Sequence, residues 1–336
     1  MEKIKKAFTW IVFLTSVSLS FGQVLETPKG QVEFIGLKSW NVKELYEKLI
    51  AINPDNPICI AGLEKLGFAK AHVKKELQGN KVYSLVTVVE HEYAARIKHR
   101  LAPMDTLPPV ERWKDILDLF DQQFNEYMLA IQLYFQREKS DALLQDLSAD
   151  WDVNIFKKIW QALCKKDSEK DRELAIWILL NDGDSNNRVA AASVLSNFHR
   201  FDFAWWALLE ALRYPDDIVV FIASALLKSL IQEYPRKVDW TPMIPSVRAL
   251  LDGTNLSAFL TVVKVLTETK ISPRFAVPLL ENGGSLLIDY LGASRQQERA
   301  PVHELLIQLA GKDLGSDPDK WAKWIESVRR DLDTRN

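Results

Sequence analysis

Glu90-His91-Glu92, followed by His99, is the densest group of metal-capable side chains in the chain. Imidazole and carboxylate ligands of this kind can hold a divalent cation and activate a water for hydrolysis. Their spacing matches neither a zincin helix nor a zinc-deaminase pair, so the expected setting is a solvated strand end. Asp313, Asp317 and Asp319 have the charge of a calcium loop but lack its glycine and its distal glutamate, which leaves helix capping as their expected task. No G-x-S-x-G, P-loop or dinucleotide fingerprint occurs in the sequence. No catalytic residue, metal or other cofactor is therefore assigned, and the chain is read as non-enzymatic.

The second group that could do chemistry is aromatic. Of 11 tryptophans, Trp205 and Trp206 stand side by side. On one helix they would point about 100° apart, so they cannot share a narrow core stripe; packing against the neighbouring repeat is the expected setting, with exposure of one of them as the alternative. An exposed indole there suits a protein partner, or a sugar ring as the alternative ligand. Cys59 and Cys164 lie in separate parts of the chain without a C-x-x-C and are expected to stay unbridged.

These residues need elements to position them. Residues 2–6 are basic, Ala7 to Leu19 are mostly apolar, and Ser20-Phe21-Gly22 puts small residues at −3 and −1. That is the pattern of a secretory signal peptide over residues 1–22, cut before Gln23, and it implies a periplasmic or extracellular protein. Cleavage removes three lysines and one glutamate, moving the formal charge from −2 to −4. This near-neutral, slightly acidic balance argues against nucleic acid as a partner. No later segment is long and apolar enough to span a bilayer.

Val32, Phe34 and Gly36 alternate with Glu33, Ile35 and Leu37 as in a buried strand. A helix follows from Asn41, with Val42, Leu45, Tyr46 and Leu49 at helical spacing. Pro54 and Pro57 end it, Ile58 to Leu66 supply a shorter helix, and Gly79-Asn80 joins two strand-like runs into a hairpin. This β-α-α-β-β order, with Leu66-Gly67-Phe68-Ala69-Lys70-Ala71-His72-Val73 leading to Val88-Val89-Glu90, resembles a POTRA (polypeptide-transport-associated) domain over residues 31–100. The resemblance implies an exported protein that binds polypeptides, often by adding a strand to a sheet edge.

Beyond Pro108-Pro109, Trp113, Leu117, Phe120, Phe124, Tyr127, Ile131 and Tyr134 recur as a heptad seam. They predict one long helix of about 40 Å packed on its own chain, within a linking region over residues 108–167. Similar segments then recur near residues 192, 223, 265 and 305, and such periods mark helical arrays. Asp182-Gly183-Asp184 through Arg188, Ala190-Ala191-Ala192 and Leu195 resembles the turn and second helix of a HEAT repeat. Leu309 to Trp324, with Asp317-Pro318 and two tryptophans, is similar to the tail that closes many bacterial HEAT-type arrays. The resemblance covers residues 168–334 and implies stacked helix pairs whose curved surface docks another protein. Arg188, in the turn-following helix, joins Trp205 and Trp206 as a candidate interaction residue. The expected fold class is α+β: a small β-α-α-β-β domain followed by an all-α, HEAT-like solenoid. The expected role is an exported protein-interaction scaffold or assembly factor, a monomer or weak dimer, with glycan binding through exposed tryptophans as the alternative.

Overall fold

In the computed structural model the described residues are 23–333, apart from 102, 109, 140–143, 146, 148–149, 216 and 283. The expected signal peptide lies outside them. The fold is α+β, a four-stranded sheet followed by a mostly helical region.

Strand β1 (Gln23–Thr27) and β2 (Gly30–Ile35) form a hairpin, so the sheet has one strand more than the β-α-α-β-β reading. Helix α1 (Val42–Ile52) starts where Asn41 accepts from the backbone of Lys43 and Glu44, satisfying N–H groups that a helix start leaves open. Helix α2 (Ile60–Lys65) leads into β3 (Lys70–Gln78) and β4 (Lys81–Val89), joined by the turn at Gly79. The sheet order is β1-β2-β4-β3, with β2 parallel to β4 and the other pairs antiparallel.

Both faces of β4 are covered. Val86 and Val88 pack with Val32, Phe34 and the α1 residues Leu45 and Leu49, whereas Tyr83, Leu85 and Val89 join Ile35 in the core of the helical region. The period of two along a strand accounts for this split. It also explains why the run from Val82 to Val89 is apolar nearly throughout.

In the helical region the expected long helix is broken. It consists of α3 (Lys114–Gln122) and α4 (Phe124–Leu133), separated at Gln123, whose φ of −133° and ψ of 50° are not helical. The bend brings the Phe120 and Tyr127 rings edge to face, 5.2 Å between centroids, inside one core. Trp113, Ile131 and Tyr134 are buried in that core with them, while Phe124 is exposed. The apolar seam therefore packs on its own chain, as two short helices.

Helix α5 (Val153–Cys164) packs on α3 and α4. The remaining helices come largely as pairs: α6 (Glu169–Asn181) with α7 (Ser185–Leu195), α8 (Asp202–Ala211) with α9 (Asp217–Glu233), and α10 (Ile244–Leu251) with α11 (Phe259–Glu268). Helices α12 (Ala276–Leu280), α13 (Ser285–Leu291), α14 (Gln296–Ala310) and α15 (Pro318–Asp333) complete the chain. Helix α6 touches α8, α8 touches α10, α10 touches α12 and α12 touches α15; in parallel, α7 touches α9, α9 touches α11 and α11 touches α14. Asp184 caps α7, and Ser168 with Asp171 forms a capping box on α6. Asp317 accepts from the backbone of Asp319 as α15 begins at Pro318, which is the capping expected for that residue. Among the described residues, no helix is long and apolar enough to cross a membrane.

The segment between β4 and α3 is a strap laid across the turns of these pairs, in reverse order. Arg96 bonds Ser285, the Lys98 amide bonds Thr254, the Arg100 amide bonds the Arg213 carbonyl, and the Asp105 carbonyl accepts from Gly183. Gly183 is needed at the last contact, since a Cβ there would stand 2.8 Å from the Pro103 carbonyl oxygen.

Two measurements follow from this packing. Ala191 is fully buried between neighbouring helices, so Ala191→Leu is expected to lower stability by about 1–3 kcal/mol, read from urea unfolding. Glu76 binds Lys74, Arg295 and Gln297, tying β3 to α14. Lys74 and Arg295 hold its carboxyl down from 4.5 to about 2. A group depressed in the folded state stabilises fully above its unfolded value and loses that contribution as pH falls toward the folded one. The unfolding midpoint should therefore drop between pH 4.5 and 2, and Glu76→Gln should flatten that drop.

Candidate functional site

Helix α9 presents two kinds of face. Val219, Ile222, Ala223, Leu226, Leu227 and Leu230 are buried in the core, whereas Phe221, Ser224, Ala225, Lys228 and Gln232 recur at spacings of three and four and form one stripe. That stripe is the floor of a groove of about 720 Å³. Opposite it stand Ile60 and Glu64 of α2 and Lys70 and His72 of β3; Leu133 of α4 and the 255–257 loop close the ends. The volume lies within the roughly 300–1,000 Å³ of pockets that enclose a ligand.

Local bonds fix the walls. Ser229 Oγ donates to the Gln132 carbonyl, holding α9 against α4, and Ser224 shares a 3.0 Å bond with Thr261 of the next helix pair. Asn255 Nδ2 donates to the Leu212 carbonyl, fixing the loop. On this lining Phe221 is 47% exposed and Ile60 43%, an apolar offer from both sides of the groove. Strand β3 is last in the sheet order, so its outer edge is unpaired by any strand among the described residues. The groove therefore joins apolar side chains to a strand edge bearing main-chain donors and acceptors. The surrounding protein and the neighbouring Lys264 and Lys74 lower the pKa of Lys228, in that order.

The residues singled out from sequence lie elsewhere. Trp205 is fully buried, with Nε1 donating to the His199 carbonyl at 2.8 Å. Trp206 is half-buried, and its Nε1 donates to the Asp239 carbonyl. Helix α8 is packed on several sides, so two indoles 100° apart both find cover, with Trp206 keeping part of its surface in solvent. Arg188 is buried too, its guanidinium 4.5 Å from the Tyr214 ring centroid, an interior cation–π contact. Trp321 is buried with Nε1 on the Gly315 carbonyl, and Trp324 meets it edge-on at 5.7 Å. Among the described residues, Trp177 alone of the tryptophans is exposed, at 50%.

The metal-capable cluster is dispersed by the fold. The Glu90 carboxylate is buried and accepts from the backbone of Lys38 and Ser39 and from the Ser39 hydroxyl. His91 is exposed, and His99 Nδ1 faces the Arg213 carbonyl at 3.3 Å, with burial lowering its pKa. No group of three or more His, Cys, Asp or Glu among the described residues is placed to hold a metal ion. Both cysteines are free, Cys164 within 3.3 Å of the Tyr134 hydroxyl.

Sequence reading missed the groove. Its one available signal was a phenylalanine and a lysine on the same stripe of an otherwise apolar helix, Phe221 and Lys228. No family model, curated protein or solved structure matches the chain.

An amine is acylated through its neutral form, so a lysine of lowered pKa reacts early. Brief treatment with an amine-reactive ester near pH 8 is expected to label Lys228 ahead of Lys81 on the exposed hairpin, read by peptide mass spectrometry. Equal labelling at all pH values would contradict the electrostatics described.

Proposed function

We propose that the chain is an exported scaffold or assembly factor that binds an extended segment of another polypeptide in the groove between β3 and α9. The single observation behind this is the groove itself. A strand edge supplies main-chain pairing along one wall while Phe221 and Ile60 supply apolar contacts across it, the combination that extended peptides use.

Several features support the reading. The sheet order, with a parallel β2–β4 pair and β3 at the edge, is compatible with the POTRA-like resemblance. The two series of helix contacts suit a HEAT-like solenoid whose pairs cover one another. The residues before Gln23 have signal-peptide character, and β1 begins at Gln23, in keeping with a periplasmic or extracellular protein. Trp205 is fully buried and presents no face to a sugar, which leaves the glycan alternative without one of the tryptophans named for it.

A photo-cross-linking residue at Ala225, in full-length protein expressed in its native cell, tests the proposal. A discrete adduct with another polypeptide is expected, lost in Phe221→Asp and absent when the cross-linker sits at Trp177. Failure to form an adduct, or one indifferent to Phe221→Asp, would sink it.

A further inference from the structure

A second cavity, of about 610 Å³, shares no lining residue with the groove. Its walls come from the strap, the α8–α9 turn, α10, the end of α12 and α15. Five cationic side chains, Arg96, Lys98, Arg213, Arg248 and Arg329, face it against two carboxylates, Asp252 and Glu281.

These charges are not equally engaged. The Arg213 guanidinium is spent on the Lys98 carbonyl, Ser246 and Glu210. Arg248 pairs with Glu281, which removes one charge of each sign from the count. Asp252 accepts from Asn282, and burial raises its carboxyl above the ordinary range. Arg96 lies over the Tyr93 ring and gives Nη1 to Ser285. Lys98 and Arg329 are solvent-exposed, and their side-chain nitrogens make no hydrogen bond or ion pair with another described residue. A chain of net charge −2 has thus gathered cations from four separate elements around one concave space. Such a cleft focuses its field and concentrates anions, and guanidinium groups match the geometry of carboxylate and phosphate.

We propose that this cleft binds a small, multiply charged anion carrying phosphate or carboxylate groups, with Lys98, Arg329 and Arg96 as its cationic contacts. An anion between Lys98 and Arg329 bridges the strap to the C-terminal helix. Because only the folded chain assembles these contacts, binding raises its stability.

Calorimetric titration of the full chain with inorganic pyrophosphate, and separately with citrate, at low ionic strength tests the site. Saturable one-site binding by either anion is expected, weakened at least about tenfold in Lys98→Gln/Arg329→Gln. Lys323→Gln, an exposed lysine on the same helix α15, should bind as the unmodified chain does. Absence of saturable binding by both anions overturns the proposal. So does an affinity unchanged in the double variant, or reduced equally by Lys323→Gln. Circular dichroism of each variant separates lost binding from lost folding, and the single Lys98→Gln variant repeats the test if the double one unfolds. The groove is untouched by these substitutions, so this site and the polypeptide-binding reading fail independently.

Discussion

A central strand with apolar residues on both faces requires two covers, and β4 has that character. Helices α1 and α2 supply one cover; the helical region must supply the other, because Tyr83, Leu85 and Val89 would otherwise meet water. Burying side chains of this size is worth about 1.5–3 kcal/mol each, enough to hold the sheet on the helices. Polar groups then fix the register. Glu33 is fully buried on that face and accepts from the Tyr83 hydroxyl and from the backbone and hydroxyl of Ser294. Thr87 meets Tyr290, and Lys38 pairs with Asp289 across the same junction. A buried carboxylate without such partners would cost more than it contributes, so these bonds admit a narrow range of docking positions.

That docking dictates the path of the strap. The sheet sits beside α13 and α14, late in the chain, while the next helices to form, α3 and α4, pack on α5, α7 and α9. The connection must therefore run back across the helix turns, past 285, 254, 213 and 183. An extended segment needs partners for its main-chain groups, and the turns supply them. Arg100 carries much of the attachment, donating to Tyr214, Glu210 and the Leu180 carbonyl. Asp182 does the same from the other side, accepting from the Leu107 amide while it also holds Asp184 and Asn187.

Much of this architecture was legible in local residue patterns. Asn41, Ser168, Asp184 and Asp317 each begin a helix where short polar side chains can cap one, and Gly79 marks the hairpin. Features set by distant partners were not. The break at Gln123 is invisible because the apolar seam runs through it unchanged; tertiary packing of Phe120 and Tyr127 decides the bend. The strap has no periodicity, and the partners of Arg96 and Leu107 within it lie 189 and 75 residues away. Trp205 and Trp206 cannot share one narrow stripe, but α8 has neighbours on several sides, so adjacency in sequence said little about how much of each indole is covered. The groove and the cationic cleft combine residues from separate elements, Phe221 with Ile60 and Lys98 with Arg329, and no spacing in a linear pattern brings those together.

Both concave sites depend on the same docking for their shape. The groove has α2 and β3 on one side and α9 on the other, so moving the sheet off the helices would remove one wall. The cleft takes Arg96 and Lys98 from the strap that leaves β4, with its other cations on the helices. A ligand that contacts both walls binds the docked arrangement better than an undocked one, and its binding free energy is added to the junction. By the same linkage, substitutions at Glu33 or Glu76 that weaken the junction would weaken the proposed binding at both sites while leaving the lining residues in place. Glu33 lines neither cavity, so its influence on binding would be carried by the position of the sheet.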